Sequence, residues 1–336
     1  MERLKLSFER FANNEADGKS PLYAYWCRKI VEEEALLPLI QHIPSTQPKP
    51  NLFFASIQYL SMQKQHELAG VFEHPTSISY EESFAQLVNF CNHYENELIH
   101  LFKTKLVQTN EVQRASYLYP IFSHIAAETH KPLTLIEIGT SAGLLLLIDA
   151  YRYQLYQKTP IVYGNQASPL LVTANNFGEQ LHAIKPFKVN HRIGIDLNIV
   201  DVKDAQQMEW LNSLIWPELK QRKINLEIAA TIQKQYDVCM VKGDFRTLLP
   251  KTLKKLQDTN SQIVIFHTHV ANQFSMELKK DLLTVIDTLS ETQPIYHVYN
   301  NLYDNDLHVD YVHQKQTLTK KQLSNTDGHG NYFYWA

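Results

Sequence analysis

Residues Leu135–Ile148, LIEIGTSAGLLLLI, are the most informative part of the sequence for the type of fold. An apolar run leads into a short segment that contains Glu137, Gly139 and Gly143, and a second apolar run follows it. Glycine allows the sharp backbone turn that joins a strand to a helix, and it leaves room for a ligand. The pattern therefore predicts a cofactor-binding loop at the carboxyl end of a strand, with the N-terminus of a helix facing the ligand.

The same residues also fit a second pattern, because GTSAG matches the G-x-S-x-G turn that carries a nucleophilic serine, here Ser141. This sequence resembles patatin-like lipases at that point, and Asp327 with Gly328 would supply their D-G pair. An acyl-transfer site also needs aimed N–H donors. The glycine-rich stretch that supplies them in those enzymes lies upstream, where only Gly18 and Gly70 occur. A cofactor loop is favoured, and a serine nucleophile or a purely structural turn stays open.

Outward from this loop, short runs rich in Ile and Val alternate with helical segments from Lys131 onward: TLIEIG, RIGID, YDVCMVKGD, QIVIFHTH and PIYHVYN. Alternation of strands and helices predicts a mostly parallel sheet with crossover helices. We therefore expect an α/β, Rossmann-like domain over residues 131–336, with an inserted segment at about 153–190 and a final hairpin.

Residues 1–130 are predicted to form a helical N-terminal cap region. Ser20 followed by Pro21 is typical of a helix start, and Ser79 with Glu82 has the spacing of a capping box. Another helix is expected from about Asn110 to Ile125.

Composition narrows the function classes. The 336 residues carry a net charge of -3, which gives no footprint for bulk nucleic-acid or membrane binding. Three scattered cysteines fit a reducing compartment and are each expected to be buried. No signal peptide or membrane-length apolar run is visible, so we expect a soluble, cytoplasmic protein with a small-molecule substrate.

Two carboxylates follow later strands of the predicted sheet. Asp196 ends RIGID, where a carboxylate can bind ribose hydroxyls. Asp244 and Phe245 follow YDVCMVKG, where an acid and an aromatic ring could meet a purine. The plain alternative is that each aspartate caps the next helix.

His267 and His269 lie two apart on the predicted strand QIVIFHTH, so their side chains should share one face near its carboxyl end. A histidine there could accept a proton from an acceptor substrate at neutral pH. A metal site is not favoured, because no third ligand has suitable spacing. A structural hydrogen bond to a loop is an equally good interpretation.

Asn110, Glu111 and Arg114 form a compact polar group before the expected helix. They are interpreted as substrate-binding residues on a helix that covers the cofactor cleft. The alternatives are that Asn110 caps the helix, that Glu111 meets its dipole, and that Glu111 pairs with Arg114.

Taken in order, E-x-G-x-S-x-G, GID and GDF resemble class I S-adenosylmethionine-dependent methyltransferases. The resemblance implies S-adenosylmethionine as cofactor and a methyltransferase, or a protein that only binds this cofactor, as the function. The alternatives are a serine hydrolase and a non-catalytic Rossmann-like protein. The resemblance also implies that the loop residues bind the methionine part of the cofactor, that Asp196 binds ribose, and that Asp244 with Phe245 meets adenine. The loop residues in question are Glu137, Gly139, Thr140, Ser141 and Gly143. The loop departs from the usual pattern at Ser141, where a middle glycine is common.

A resemblance over nearly the whole chain rests on longer motifs: QTNEVQRASYLYP, EIGTSAGLLLLIDAYRY, GIDLN, IWPE, GDFR, HTHV and the terminal HG-x-x-x-x-W. These motifs identify the chain as a member of the uncharacterised bacterial family called domain of unknown function 2332. That resemblance implies one evolutionary unit and no particular reaction.

Overall fold

A computed structural model describes residues 1–256 and 260–336. The chain divides into two compact units, one of residues 1–109 with 204–224 and one of residues 110–203 with 225–336. The boundary predicted at residue 130 follows the change in secondary structure, whereas this division follows contacts.

Within the described residues the helices are α1 (Glu2–Arg10), α2 (Pro21–Glu33), α3 (Leu37–Ile40), α4 (Lys49–Gln63), α5 (Leu68–Glu73), α6 (Tyr80–His93), α7 (Glu95–Thr104), α8 (Ala115–Thr129), α9 (Ala205–Ser213), α10 (Lys220–Gln233), α11 (Phe245–Lys255) and α12 (Met276–Ser290). The strands are β1 (Leu133–Ile138), β2 (Arg152–Tyr156), β3 (Ile161–Gly164), β4 (Leu171–Asn176), β5 (Val189–Asp196), β6 (Cys239–Lys242), β7 (Gln262–His267), β8 (Ile295–Tyr299), β9 (Leu307–His313), β10 (Gln316–Leu323) and β11 (Tyr332–Phe333).

The first unit is helical, and two of its predicted helix starts are confirmed. Ser20 Oγ accepts the N–H of Tyr23, 3.3 Å away, ahead of α2. Ser79 Oγ accepts the N–H of Glu82 at 3.1 Å ahead of α6. These bonds satisfy N–H groups that have no partner within the helix. The amphipathic helices bury an aromatic-rich core, which includes Tyr23 stacked on Phe54 with ring centres 4.3 Å apart.

The second unit contains a seven-stranded sheet in the order β10-β9-β8-β7-β1-β5-β6. The five adjacent strands β8, β7, β1, β5 and β6 are mutually parallel, and β9 and β10 are antiparallel to their neighbours. The predicted mostly parallel α/β sheet and the final hairpin, β9–β10, are thereby confirmed. All six residues of β1 are buried, as expected for a strand covered on both faces.

A smaller sheet has the order β11-β4-β2-β3. Three of its strands come from the predicted insertion at residues 153–190 and its immediate edge. The fourth, Tyr332–Phe333, pairs in parallel with β4 and so returns the end of the chain to this sheet.

Among the described residues, no helix combines the length and the apolar character needed to cross a membrane. Cys27 and Cys91 are buried as expected, but Cys239 is exposed. The prediction for Cys239 was wrong because β6 is the last strand of its sheet and is covered less than the central strands.

Candidate functional site

The predicted site residues of the second unit gather at one edge of the seven-stranded sheet. Within this sheet β1 lies between β5 and β7. The next strand of the sheet after β1 is β5, on one side, and the next strand after β7 is β8, on the opposite side. The connections that leave β1 and β7 therefore run in opposite directions. Ligands of open α/β sheets bind at the carboxyl ends of the strands where the strand order reverses in this way.

The loop Gly139–Gly143 turns through left-handed backbone. The φ angles are +73° at Gly139, +49° at Ser141 and +72° at Gly143. The Gly139 N–H donates to Ile195 O at 2.8 Å, and the Gly143 N–H donates to Thr140 O at 2.8 Å. The first bond fastens the loop to β5, and the second closes the turn.

Protein side chains pack closely against both loop glycines. A β-carbon at Gly139 would lie 2.6 Å from Val270 Cγ2, and one at Gly143 would lie 2.9 Å from Met240 Sδ. The sequence interpretation assigned this space to a ligand. In the structure the space beside Gly139 is occupied by Val270, which follows β7, and the space beside Gly143 by Met240, which lies within β6. Both residues are distant from the loop in sequence, so local patterns did not indicate these contacts.

Asn110 contacts this loop and does not cap a helix. Its Nδ2 donates to Ser141 Oγ at 2.9 Å, and its Oδ1 accepts the Ala142 N–H at 3.1 Å. A short 3-10 helix, Val112–Arg114, precedes α8 and is capped by Glu111. The capping interpretation of Asn110 was wrong because its side chain bonds to a loop 31–32 residues away.

The helix expected after the loop is a 3-10 helix, Leu144–Ala150, with a kink at Leu147. Its carbonyls accept side-chain bonds: Leu144 O from Tyr151 at 2.6 Å, Leu146 O from Arg192 at 2.9 Å and Ile148 O from Tyr153 at 2.5 Å. These donors replace the N–H partners of a regular α-helix. The regular α-helix that the sequence predicts after the loop therefore does not form here.

Glu137 lies within β1 just before the loop and is buried. Thr140 Oγ1 donates to its Oε2 at 2.6 Å. Burial raises the pKa of Glu137 to about 8, against the opposing effects of the Thr140 hydrogen bond and the Arg114 charge. The carboxyl group is thus mostly protonated at neutral pH.

Asp196 ends β5 beside the loop. Its Oδ2 accepts the Ser141 N–H at 2.8 Å, and its Oδ1 accepts the Asn198 N–H at 2.9 Å. The neighbouring Leu197 side chain is 71% exposed. The bond from the Ser141 N–H joins the loop after β1 to the end of β5. An aspartate that only capped the next helix would not make this bond.

Asp244 follows β6 and caps α11 by accepting the Arg246 N–H at 2.8 Å. Hydrogen bonds and the ion pair with the Arg246 guanidinium lower the pKa of Asp244. Phe245 is buried and stacks on Phe274, with ring centres 5.7 Å apart. The structure thus places Phe245 in the core, and the adenine contacts predicted for both residues stay predictions.

His267 is the last residue of β7 and is fully buried. Its Nε2 lies 3.1 Å from the Nε2 of His297, and its Nδ1 has no hydrogen-bond partner among the described residues. Burial lowers the pKa of His267 to about 3. The structure places this residue in a buried pair of histidines, and its predicted catalytic role is untested.

His269 lies beyond the strand, with a φ of +60°. The prediction that it shares a strand face with His267 was wrong because the chain turns after β7. Its N–H donates to Asn300 Oδ1 at 2.8 Å, and Asn300 Nδ2 lies 3.2 Å from its Nε2. Burial lowers the pKa of His269 to about 3, so the ring is neutral at pH 7.

Arg114 is buried and lies between the loop after β7 and the turn near the C-terminus. Its Nε donates to Gly328 O at 2.8 Å, and its Nη1 lies 3.4 Å from Thr268 O and 3.3 Å from Thr268 Oγ1. Glu111 instead lies near His329, with Oε2 3.3 Å from Nδ1. The predicted alternative of a Glu111–Arg114 ion pair does not form.

Sequence reasoning missed four residues of this edge, Met240, Thr268, Val270 and Asn300; it considered Gly328 only for the serine-hydrolase alternative and assigned no role to His329. Asn300 directly follows β8, so the rule that polar residues after parallel strands share an edge would have found it. The turn at Gly328 and His329 has no such signal, because it reaches the site from another sheet. No group of three or more possible metal ligands occurs within residues 1–256 and 260–336.

Fold and site together define an α/β protein whose mostly parallel sheet carries a cluster of polar and titratable side chains at its carboxyl edge. The chain belongs to the family described as "Uncharacterized protein conserved in bacteria (DUF2332)", whose model matches residues 5–335. This confirms the family that the sequence motifs indicate. No curated protein and no solved structure matches the chain.

Proposed function

We propose that this protein binds S-adenosylmethionine at the Gly139–Gly143 loop and transfers its methyl group to a small-molecule acceptor. The observation that carries the proposal is the meeting of the loop with Asp196 at the edge where the strand order reverses. Cofactors of open α/β sheets bind at this position.

Asp196 and Leu197 suit the nucleoside part of the cofactor. Each oxygen of Asp196 accepts one N–H in the described structure, and a carboxylate has about four acceptor positions. Two ribose hydroxyls could therefore bind without displacing protein contacts. The exposed apolar side chain of Leu197 would cover a flat ring beside them.

The methionine part has to be held differently from the sequence expectation. The N–H groups of Ser141, Ala142 and Gly143 all donate within the protein. Side chains near Glu137 would therefore hold this end of the cofactor, not the loop N–H groups.

Methyl transfer asks mainly for alignment and exclusion of water, because S-adenosylmethionine supplies an electrophilic methyl group. The loop after β7 would hold the acceptor. His269 is neutral, and its Nε2 accepts a bond from Asn300, which favours orientation of the acceptor over removal of its proton.

A serine hydrolase is the second candidate, and the φ of +49° at Ser141 favours it, because nucleophile turns are strained in this way. Its hydroxyl oxygen accepts a bond from Asn110, however, and no histidine bonds to it within the described residues. Asp327, the other predicted member, bonds to Asn331 at 2.7 Å. Labelling of Ser141 by a fluorophosphonate would establish this candidate.

Calorimetric titration with S-adenosylhomocysteine tests the proposal. The wild-type protein should bind it, and Asp196→Asn should bind about tenfold to a hundredfold more weakly, since a charge-assisted hydrogen bond contributes about 1.5–3 kcal/mol. The matched control is Asp237→Asn, on an exposed turn before β6, which should bind as the wild type does. Absence of binding by the folded wild-type protein would reject the proposal.

A further inference from the structure

Arg114 is a buried cation whose partners are all neutral. Only 8% of its surface is exposed, and it bonds to the oxygens of Gly328 and Thr268. No carboxylate of the described residues lies within ion-pair distance of it. The Nη2 atom of Arg114 donates no hydrogen bond to the described residues. It is also not among the fully buried polar atoms that lack a partner, so a ligand can reach it.

A buried charge is costly unless an opposite charge compensates it. The neighbouring acids do not serve this purpose. Glu137 is mostly protonated at neutral pH, because burial raises its pKa to about 8. Glu111 accepts a bond from Gln113 and lies beside His329, and Asp327 Oδ2 accepts from Asn331. The guanidinium therefore lacks a direct counter-ion.

His269 provides a second donor at the same place. Its backbone N–H can only donate, so the Asn300 atom at 2.8 Å is the carbonyl oxygen Oδ1. Asn300 Nδ2 is then the donor to His269 Nε2, and the neutral ring carries its proton on Nδ1. Nδ1 donates to no described residue and is not fully enclosed. The two groups meet at the same turn, because Arg114 Nε donates to Gly328 O at 2.8 Å and a β-carbon at Gly328 would lie 3.2 Å from His269 Cε1.

We infer that Arg114 Nη2 and His269 Nδ1–H bind an anionic group, a carboxylate or a phosphate, of the acceptor substrate. The assignment of this group to an acceptor rests on the proposed methyl transfer, whereas the anion site rests on these contacts alone. A guanidinium with a neighbouring N–H donor matches two oxygens of such a group.

Calorimetric titrations with acetate and inorganic phosphate, each in the presence and absence of S-adenosylhomocysteine, test the inference. We expect one anion to bind the wild-type protein and neutral acetamide not to bind. The stronger of the two anions identifies the source. Arg114→Gln should weaken binding of that anion at least tenfold. Arg114→Lys keeps the charge but not the planar set of N–H donors, and it should weaken binding less.

Arg246→Gln is the matched control, since Arg246 is exposed and already paired with Asp244 and Asp281. Equal loss in this control, or equal binding of acetamide, would overturn the inference. Loss of S-adenosylhomocysteine binding in Arg114→Gln would also overturn it, because Arg114 would then hold the cofactor. Should Arg114→Gln not fold, acetate should still shift the ring nitrogen resonance of His269 in the wild-type protein, and no shift would reject the site.

Anion binding without S-adenosylhomocysteine binding would reject the proposed cofactor and leave the anion site standing. Cofactor binding without anion binding would do the opposite.

Discussion

Asp196 and Asp244 both lie at the carboxyl ends of neighbouring parallel strands, yet their main hydrogen-bond partners differ. Asp196 accepts the N–H of Ser141, 55 residues away in sequence. Asp244 is bound mainly by Arg246, two residues away, and caps its own helix. A shared strand-end motif therefore does not define a shared role. What matters is whether the carboxylate holds the loop of another strand or its own turn.

The largest expected loss of stability is at Gly139, in the loop that Asp196 holds. Gly139→Ala should lower the free energy of unfolding by about 2–5 kcal/mol, because a left-handed φ costs about 1–2 kcal/mol and overpacking against Val270 about 1–3 kcal/mol. Chemical denaturation measures it. Gly18→Ala is the control, since Gly18 has a φ of +70° and nothing within 4 Å of the added carbon.

Addition of Val270→Ala to Gly139→Ala should restore part of the lost stability. If the double variant is no more stable than the single one, the packing of Val270 on the loop is not the reason for this glycine.

Glu137, next to the loop, gives a pH-dependent effect. Its folded pKa of about 8 lies above the ordinary value of 4.5, so the stability that its neutral form supports is complete at low pH. This stability is lost as the pH rises from about 4.5 to 8. Wild-type stability relative to Glu137→Gln should therefore fall by roughly 2–4 kcal/mol between these pH values, at about 1.4 kcal/mol per pKa unit less some relaxation.

Denaturant unfolding of both proteins across that pH range measures the difference. A difference that does not change with pH would mean that Glu137 is ionised in the folded protein, with the Arg114 charge outweighing burial.

The smallest effect tests the comparison itself. Asp196→Ala should cost about 1–3 kcal/mol, because it leaves the Ser141 N–H without its acceptor in a buried loop. Asp244→Ala should cost about 0.5–1.5 kcal/mol, the usual value of an N-cap, since its ion pairs are solvent-exposed. Thermal unfolding of the two variants side by side gives the order, and equal losses would remove the distinction.

Much of the fold was predictable because it depends on short sequence patterns, namely apolar runs and helix-capping residues. The apolar runs at β1, β5, β6, β7 and β8 predicted the parallel strands, and Ser20 and Ser79 predicted two helix starts. The predictions failed where side chains from distant segments replaced local bonds. Tyr151, Tyr153 and Arg192 took the carbonyls of the expected helix after Gly143.

By itself the sequence determined the mostly parallel sheet, the turn at Gly139–Gly143 and the family, because periodicity, glycine conformation and motif order act over short distances. Only the tertiary structure decided what each polar side chain does. Asn110 holds the loop, Asp196 joins two strand ends, and Arg114 faces neutral partners. The physical reason is that hydrogen bonds and burial depend on neighbours in space, which the chain brings together only when it folds.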